Sequence, residues 1–322
     1  MQFGRVGIAL AIAALNPGSE TACGRLCHAV PDTARHVRIV TAPAESLHVV
    51  LDGQGPPVVL IPGLFGAAFG FRKVVPLLAS AGYSTVIVEP LGVGTSGRPA
   101  RADYSLTAQA DRIAAALDSL HTGPAIVVGH SIGGSIAFRL AYRHPAFARG
   151  IISIEGGPTE RATTPSFGRA MRFAPLIRLF GGIGLVRRKV RSMLFASSGD
   201  TTWIVGDVIQ GYTAGAAADL GATLRAFRAM ADSREPELLR PHLPQIGCPV
   251  RLLVGGARHV GGTPGDELEL MKRSLGSFAV DSQPGAGHFI NEEQPQAVVA
   301  SVLRVGSGGN HPAREPRQDG GP

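Results

Sequence analysis

The chain has 322 residues, of which 44% are hydrophobic and 17% charged, and its formal net charge is +7 at pH 7. This composition excludes a disordered protein and fits one large globular core or two smaller domains. The charge comes mainly from scattered arginines without interleaved aromatic residues, so we expect a solvated basic surface and no nucleic-acid partner.

The N-terminal segment has the pattern of an export signal. Arg5 precedes an apolar run over 6–15, and Asn16-Pro17 ends that run. The run is too short to span a bilayer as a helix. We therefore predict a signal or N-terminal extension over 1–30. It implies either a periplasmic or secreted protein or a cytoplasmic enzyme with a non-native extension. Any membrane association would involve this segment alone.

Short apolar runs alternate with helical patterns in the first half of the chain. Two alternating runs, His36–Val40 and Leu47–Leu51, predict an antiparallel pair at a sheet edge. Buried strands are predicted over Pro57–Ile61, Tyr83–Glu89, Pro124–Val128 and Gly150–Glu155, with helices over Phe71–Ala79, after Ser105 as N-cap, and over Ile132–Arg143.

The alternation stops after residue 156. Residues 157–244 consist of helical pieces broken by Gly and Pro, and the strand pattern returns at Val250–Val254 and Phe278–Ser282, before a closing helix over Asn291–Val302. We therefore predict an α/β fold with a mostly parallel, doubly wound sheet. Residues 31–156 and 245–305 would form the core, 157–244 a helical cap, and 306–322 a disordered tail.

The segment Gly129-His130-Ser131-Ile132-Gly133 reads G-x-S-x-G and lies between a predicted strand and a predicted helix. This context is typical of a nucleophile elbow, in which a serine occupies a strained turn and its small neighbours let strand and helix approach. The sequence therefore predicts Ser131 as a nucleophile. His130 lies inside the elbow, where we expect it to pack rather than to act on Ser131.

A serine hydroxyl needs a base, which is most often an imidazole. Of the ten histidines, His288 follows the last predicted strand inside a Gly-rich loop, so it would reach Ser131 in the fold. The developing oxyanion needs N–H donors, which we assign to Ile132 and to Leu64 in the loop after the strand at 57–61. No histidine pair has ligand spacing near acids or cysteines along the chain, so we expect no metal site.

Together these segments resemble the α/β-hydrolase family, in particular its cap-bearing esterases, epoxide hydrolases and haloalkane dehalogenases. The matching motifs are Ile61-Pro62-Gly63-Leu64-Phe65-Gly66, Glu89-Pro90-Leu91-Gly92-Val93-Gly94-Thr95-Ser96, Gly129-His130-Ser131-Ile132-Gly133-Gly134 and Gly287-His288. The resemblance implies the α/β-hydrolase fold. Relatives that open epoxides or displace halide carry Asp at the elbow, so Ser131 favours acyl transfer.

The chain departs from the family at three places. Pro62-Gly63 stands where the family often has His-Gly, and Glu89 stands where it often has Asp. The loop over 255–260, where the family often carries its acid, has no carboxylate. Glu155 ends a neighbouring strand, at a position where dehalogenase relatives can carry the acid, so we predict it as the orienting acid. Asp266, or no acid at all, remains the alternative.

We predict a serine hydrolase that cleaves a carboxylic ester, or a related acyl bond, of an apolar small molecule through an acyl-enzyme on Ser131. The same residues suit C–C bond hydrolysis or cofactor-free perhydrolysis. The missing acid also fits a ligand-binding or signalling protein on a retained hydrolase fold. The N-terminal apolar run, together with the basic run over 187–191, fits a membrane-surface protein. We expect no cofactor, and the sequence does not indicate an oligomeric state.

The cap is expected to favour apolar substrates, because apolar side chains recur between Arg172 and Arg187. Most of them should pack the cap onto the core, and some should face the cleft. These residues are Phe173, Leu176, Ile177, Leu179, Phe180, Ile183, Leu185 and Val186.

Overall fold

The computed structural model describes residues 12–14 and 34–308. The predicted export signal therefore lies outside the described residues apart from 12–14, and so does the predicted tail from 309 onward. Both remain predictions. Across the described ranges, no helix combines the length and the apolar character needed to cross a membrane.

One sheet of nine strands organises the described residues. The strands are β1 (Ile12–Ala14), β2 (Arg35–Ala42), β3 (Glu45–Asp52), β4 (Pro57–Ile61), β5 (Ser84–Val88), β6 (Ala125–His130), β7 (Ala148–Ile154), β8 (Val250–Gly255) and β9 (Phe278–Gln283). Their order is β1-β2-β3-β5-β4-β6-β7-β8-β9. The pairs β1–β2, β2–β3 and β3–β5 are antiparallel. The remaining neighbours, from β5 through β4, β6, β7 and β8 to β9, are parallel. The predicted α/β-hydrolase sheet is thus confirmed.

The helices are α1 (Val75–Ser80), α2 (Leu106–Ser119), α3 (Ile132–Arg143), α4 (Pro165–Met171), α5 (Ala174–Leu176), α6 (Gly182–Ser197), α7 (Gly206–Ala218), α8 (Leu220–Asp232), α9 (Gly265–Ser274), α10 (Ile290–Glu293) and α11 (Pro295–Gly306). Short 3₁₀ turns cover Ala68–Phe71, Pro145–Phe147 and Arg240–Gln245, and a π-helical turn covers Ile177–Gly181. Helices α4 to α8 fall between β7 and β8, the stretch in which the sequence predicted a cap.

Apolar side chains fill both faces of the sheet, as expected for central parallel strands. On one face the core joins alternate strand residues to α2, α3 and α9. On the other face it joins the intervening strand residues to α1 and α11. A third cluster, around Trp203, Tyr212 and Phe289, packs α6 and α7 against the loop after β9.

The C-terminal helix differs from its prediction for a local reason. The closing pattern consists of two helices, α10 and α11, which meet at Gln294. Gln294 has φ −140° and precedes Pro295. A residue before proline is sterically biased away from the helical region, so the chain bends there. Helix α1 also differs, since it begins at Val75 rather than Phe71, with a proline in its first turn.

Candidate active site

The site lies where the strand order reverses. From β4 the chain crosses by α1 to β5 on one side, whereas from β6 it crosses by α3 to β7 on the other. The helices consequently cover opposite faces, and a crevice opens at the carboxyl ends of β4 and β6. The loop after β4 carries Gly63 and Leu64, and the turn after β6 carries Ser131.

Ser131 occupies a strained turn between β6 and α3. Its φ is 55° and its ψ is −121°, a backbone conformation that a non-glycine residue rarely adopts. The turn is held by a hydrogen bond from Ser131 N–H to Ile154 O, at 2.8 Å. A Cβ on Gly133 would overlap the carbonyl oxygen of Ile61, so only glycine permits this approach of α3 to β4. The half-buried hydroxyl is thereby presented at the crevice.

The loop after β4 comes close to this serine. A Cβ on Gly63 would lie 3.4 Å from Ser131 Cβ and 3.0 Å from His130 Nδ1. Within the described part of the chain, neither Leu64 N–H nor Ile132 N–H donates a hydrogen bond. An oxyanion requires such unpaired donors near the serine, and these two belong to the loop that approaches Ser131 and to the residue that follows it.

His288 lies in the loop after β9, next to the elbow. Its N–H donates to Ser197 O at 2.7 Å, and its carbonyl lies 3.1 Å from His130 Nε2. The His130 and His288 ring centroids are 4.9 Å apart. The structure thus brings His288 to the elbow, although no hydrogen bond joins its ring to Ser131 among the described residues. Such bonds are often long in the absence of substrate and tighten in the complex.

Burial decides the charge state of both rings. Burial chiefly, and electrostatic interaction with the neighbouring imidazoles of His130 and His259, lower the pKa of His288 well below the ordinary value of 6.5, although a backbone hydrogen bond with Gly261 works in the opposite direction. Burial also lowers the pKa of His130 to about 4, although its bond to the His288 carbonyl works in the opposite direction. Both imidazoles are therefore neutral near pH 7, and a neutral imidazole is able to accept a proton.

Glu155 directly follows β7. The register pairs His130 with Ile154, so Ser131 and Glu155 leave neighbouring strands at the same level. Glu155 is 4% exposed and has φ 48°, a second strained residue at this edge. Its Oε1 accepts the Gly255 N–H, and its Oε2 accepts the N–H and hydroxyl of Thr263 at 2.9 and 3.2 Å.

The nearest ring to this carboxylate belongs to His259, whose Nε2 lies 3.2 Å from Glu155 Oε1. One polar side-chain atom from each of Glu155, His259 and His288 takes part in a cluster, and the three atoms all lie within 4.8 Å of one another. The sequence did not suggest this arrangement, because His259 is distant from the other two along the chain. Asp266, the alternative acid, is exposed in the first turn of α9.

A cavity of about 560 Å³ lies between the loops after β4 and β5 and the helices α4, α6, α7 and α8. Its lining is mostly apolar and includes Leu64 and Phe65, whereas Ser131 and His288 do not line it. Phe65 packs edge-on against Phe167 and Phe227, with centroids 6.0 and 5.4 Å away. Of the apolar residues expected in the cleft, Phe173, Ile177, Leu185 and Val186 line this cavity. Leu176 and Leu179 are exposed.

One end of the cavity is polar. His36 Nδ1 lies 3.0 Å from His48 Nε2, and His48 Nδ1 lies 3.0 Å from Glu89 Oε2. Burial alone would raise the pKa of Glu89, but hydrogen bonds from His48 and from the Ala68 and Thr95 amides bring it below its usual value. The carboxylate is thus ionised and ties β3 to the loops after β4 and β5. This accounts for an acid at position 89.

Comparison with known proteins agrees with this architecture. Residues 56–183 match the family model described as the alpha/beta hydrolase fold. Epoxide hydrolase B of Mycobacterium tuberculosis is 32% identical over 122 residues, which is 36% of this chain and 34% of that protein. The chain therefore spans about a third or less of the length of the first curated relatives that it matches.

Solved structures resemble a larger part of the chain. The epoxide hydrolase CorEH, solved without ligand, superposes with a TM-score of 0.71 at 20% identity, covering 85% of this chain and 99% of its own. A thermophilic esterase from Thermogutta terrifontis superposes with a TM-score of 0.68 at 22% identity, covering 86% and 100%. At such identities the likeness concerns the fold.

Proposed function

We propose that the chain, which has the α/β-hydrolase fold, is a hydrolase that cleaves a carboxylic ester, or a related acyl bond, of an apolar small molecule through an acyl-enzyme on Ser131. The observation that carries the proposal is the strained conformation of Ser131 between β6 and α3, beside two amides without partners. A strained serine at a switch point suits a nucleophile.

The reaction follows from these positions. Ser131 Oγ attacks the carbonyl carbon while His288 takes its proton, and the Leu64 and Ile132 N–H groups stabilise the oxyanion. The tetrahedral intermediate collapses to the acyl-enzyme, and His288 passes the proton to the departing alcohol. A water molecule, deprotonated by His288, then attacks the acyl carbon, and His288 returns the proton to Ser131 Oγ as the Oγ–acyl bond breaks and the acid leaves. Glu155 stabilises the imidazolium that forms in both steps.

Epoxide opening is the competing reaction, because several similar proteins are named epoxide hydrolases. Ser131 argues against it, since the relatives that open epoxides use an Asp at the elbow. The apolar cavity supports an apolar acyl or alcohol group.

A fluorophosphonate probe tests the proposal directly, because it reacts covalently with an activated serine. We expect labelling at Ser131 of the wild-type chain and of Ser166→Ala, whose serine is exposed on α4, but not of Ser131→Ala. Hydrolysis of p-nitrophenyl esters should follow the labelling, with Ser131→Ala reduced on the order of 10³-fold or more at unchanged circular dichroism.

Two outcomes would contradict the proposal. Folded wild-type protein that neither labels nor hydrolyses any ester would indicate a ligand-binding protein. Near-normal turnover by Ser131→Ala, on an ester or on an epoxide, would indicate another nucleophile.

A further inference from the structure

Three donor atoms converge at the carboxyl edge of β7 and β8. They belong to Glu155, His259 and His288, and all lie within 4.8 Å of one another. Glu155 is buried, and the side chain of His259 is only 6% exposed. The cluster is therefore enclosed rather than formed by surface side chains that meet in solvent.

The hydrogen bonds fix which atoms are free. His259 Nδ1 lies 2.7 Å from Ala257 O, and because a carbonyl only accepts, Nδ1 carries a hydrogen. In the neutral ring, His259 Nε2 then presents a lone pair to Glu155 Oε1, 3.2 Å away. Both His259 Nε2 and His288 Nδ1 are buried without a hydrogen-bond partner among the described residues. A cation between these atoms would be bound by the Glu155 carboxylate, by the His259 Nε2 lone pair and, in the tautomer that carries its hydrogen on Nε2, by the His288 Nδ1 lone pair.

From this geometry we infer that Glu155, His259 and His288 form a binding site for a zinc-like divalent metal ion. Two imidazole nitrogens and one carboxylate oxygen are a donor set that suits Zn²⁺, with a fourth position left open. Mg²⁺ and Ca²⁺ prefer oxygen ligands and should not bind.

The outer contacts of the cluster suit the same role. A metal-binding histidine usually donates its other N–H to a carbonyl or a carboxylate, as His259 Nδ1 does to Ala257. The carboxylate of Glu155 is oriented by Gly255 and Thr263, which leave one lone pair of Oε1 free on the side of His259. The ligands are thus largely held in place before an ion arrives.

Metal binding would have a consequence for catalysis, and this part rests on the proposed function. An ion held by His288 and Glu155 removes the base and its carboxylate from the reaction. Zn²⁺ should therefore inhibit ester hydrolysis reversibly.

Calorimetric titration of the chelator-treated full chain with Zn²⁺ tests the site itself. We expect one ion to bind, with equal affinity in the wild type and in Ser131→Ala. The substitution His259→Asn keeps a donor for Ala257 O but removes the ligand, so affinity should fall by about 100-fold or more. His259→Gln serves the same purpose if His259→Asn does not fold. His144→Asn is the matched control, because His144 pairs with an acid, Asp111, outside the cluster.

Ester hydrolysis, measured for each variant with and without Zn²⁺, tests the consequence. Zn²⁺ should inhibit the wild type and His144→Asn, a chelator should restore the rate, and Mg²⁺ should have no effect. The rate of His259→Asn should not respond to the same Zn²⁺ concentration. Equal zinc affinity in His259→Asn and the wild type, or zinc binding without inhibition, would overturn the inference. Loss of zinc binding in His259→Asn of a chain that hydrolyses no ester would support the site and contradict the proposed function.

Discussion

The carboxylate of Glu155 lies 3.2 Å from His259 Nε2, whereas no hydrogen bond joins it to His288 among the described residues. His259 occupies the loop after β8, where many α/β hydrolases carry their acid. The carboxylate of Glu155 thus lies one strand away, after β7, and the imidazole of His259 occupies the loop in which the acid is often found. Glu155 still lies close enough to His288 to act on its charge, since their polar atoms are within 4.8 Å.

The Glu155→Gln substitution should lower ester hydrolysis by about 10²- to 10⁴-fold, because the imidazolium formed during the reaction loses the charge that stabilises it. Asp266→Asn should be close to wild type, since Asp266 is exposed on α9. Steady-state kinetics on one p-nitrophenyl ester compares the two, with thermal unfolding as the check on stability. If Glu155→Gln kept more than half of wild-type activity, Glu155 would not be the orienting acid.

The acid illustrates what the sequence could and could not predict. Strand periodicity and the elbow motif located Ser131, His288 and Glu155 at one edge of the sheet, because parallel strands end together. The contact between Glu155 and His259 depends on the path of the Gly-rich loop over 255–263, and neither hydrophobic period nor motif determines that path. Helix α9 was missed for a related reason, since most of its residues are polar or charged and it follows that loop directly.

The polar end of the cavity was not predicted from the sequence, for a different reason. His36 and His48 were recognised as members of a strand pair, yet their partner Glu89 follows another strand. Which residues of β2, β3 and β5 meet depends on the sheet order, and the alternation of apolar residues does not specify that order.

The rising limb of the pH profile of kcat/KM should lie well below pH 6.5. Burial, together with electrostatic interaction with the imidazoles of His130 and His259, lowers the pKa of His288, so its reactive neutral form persists into acid. Rates measured across the acid and neutral range should therefore stay flat as the pH falls through 6.5, the ordinary value for an imidazole. His259→Asn removes one of the imidazoles that lower the pKa of His288 and should move the limb to higher pH. A wild-type limb centred above pH 6.5 would show that His288 is not the base or is not buried.

Acid should destabilise the fold through His130. The ring titrates near 6.5 in the unfolded chain and at about 4 in the folded chain. Between these values the unfolded state binds a proton that the folded state does not, so the free energy of unfolding falls as the pH falls. The loss is about 1.4 kcal/mol per pH unit, or about 2 kcal/mol at pH 5. The loss disappears by about pH 7.5, where the ring is neutral in both states.

Urea unfolding at pH 7.5 and pH 5 measures this contribution as a difference between variants. His130→Asn should lose less stability between the two pH values than the wild type does, by about 2 kcal/mol. His121→Asn, which changes an exposed histidine, should behave like the wild type. Equal losses in all three proteins would mean that His130 is protonated in the folded state.

The cavity should set the acyl-chain preference, because its lining is largely apolar and it reaches Leu64 beside the nucleophile. We expect p-nitrophenyl octanoate to be hydrolysed with a higher kcat/KM than the acetate. Ala214 on α7 lines the cavity, so Ala214→Phe should fill part of it and lower the octanoate-to-acetate ratio by about tenfold or more, since each buried methylene contributes strongly to such ratios. Ala217→Phe is the matched control, because Ala217 is exposed on the same helix. An unchanged ratio in Ala214→Phe, or a wild-type preference for charged esters, would place the substrate outside this cavity.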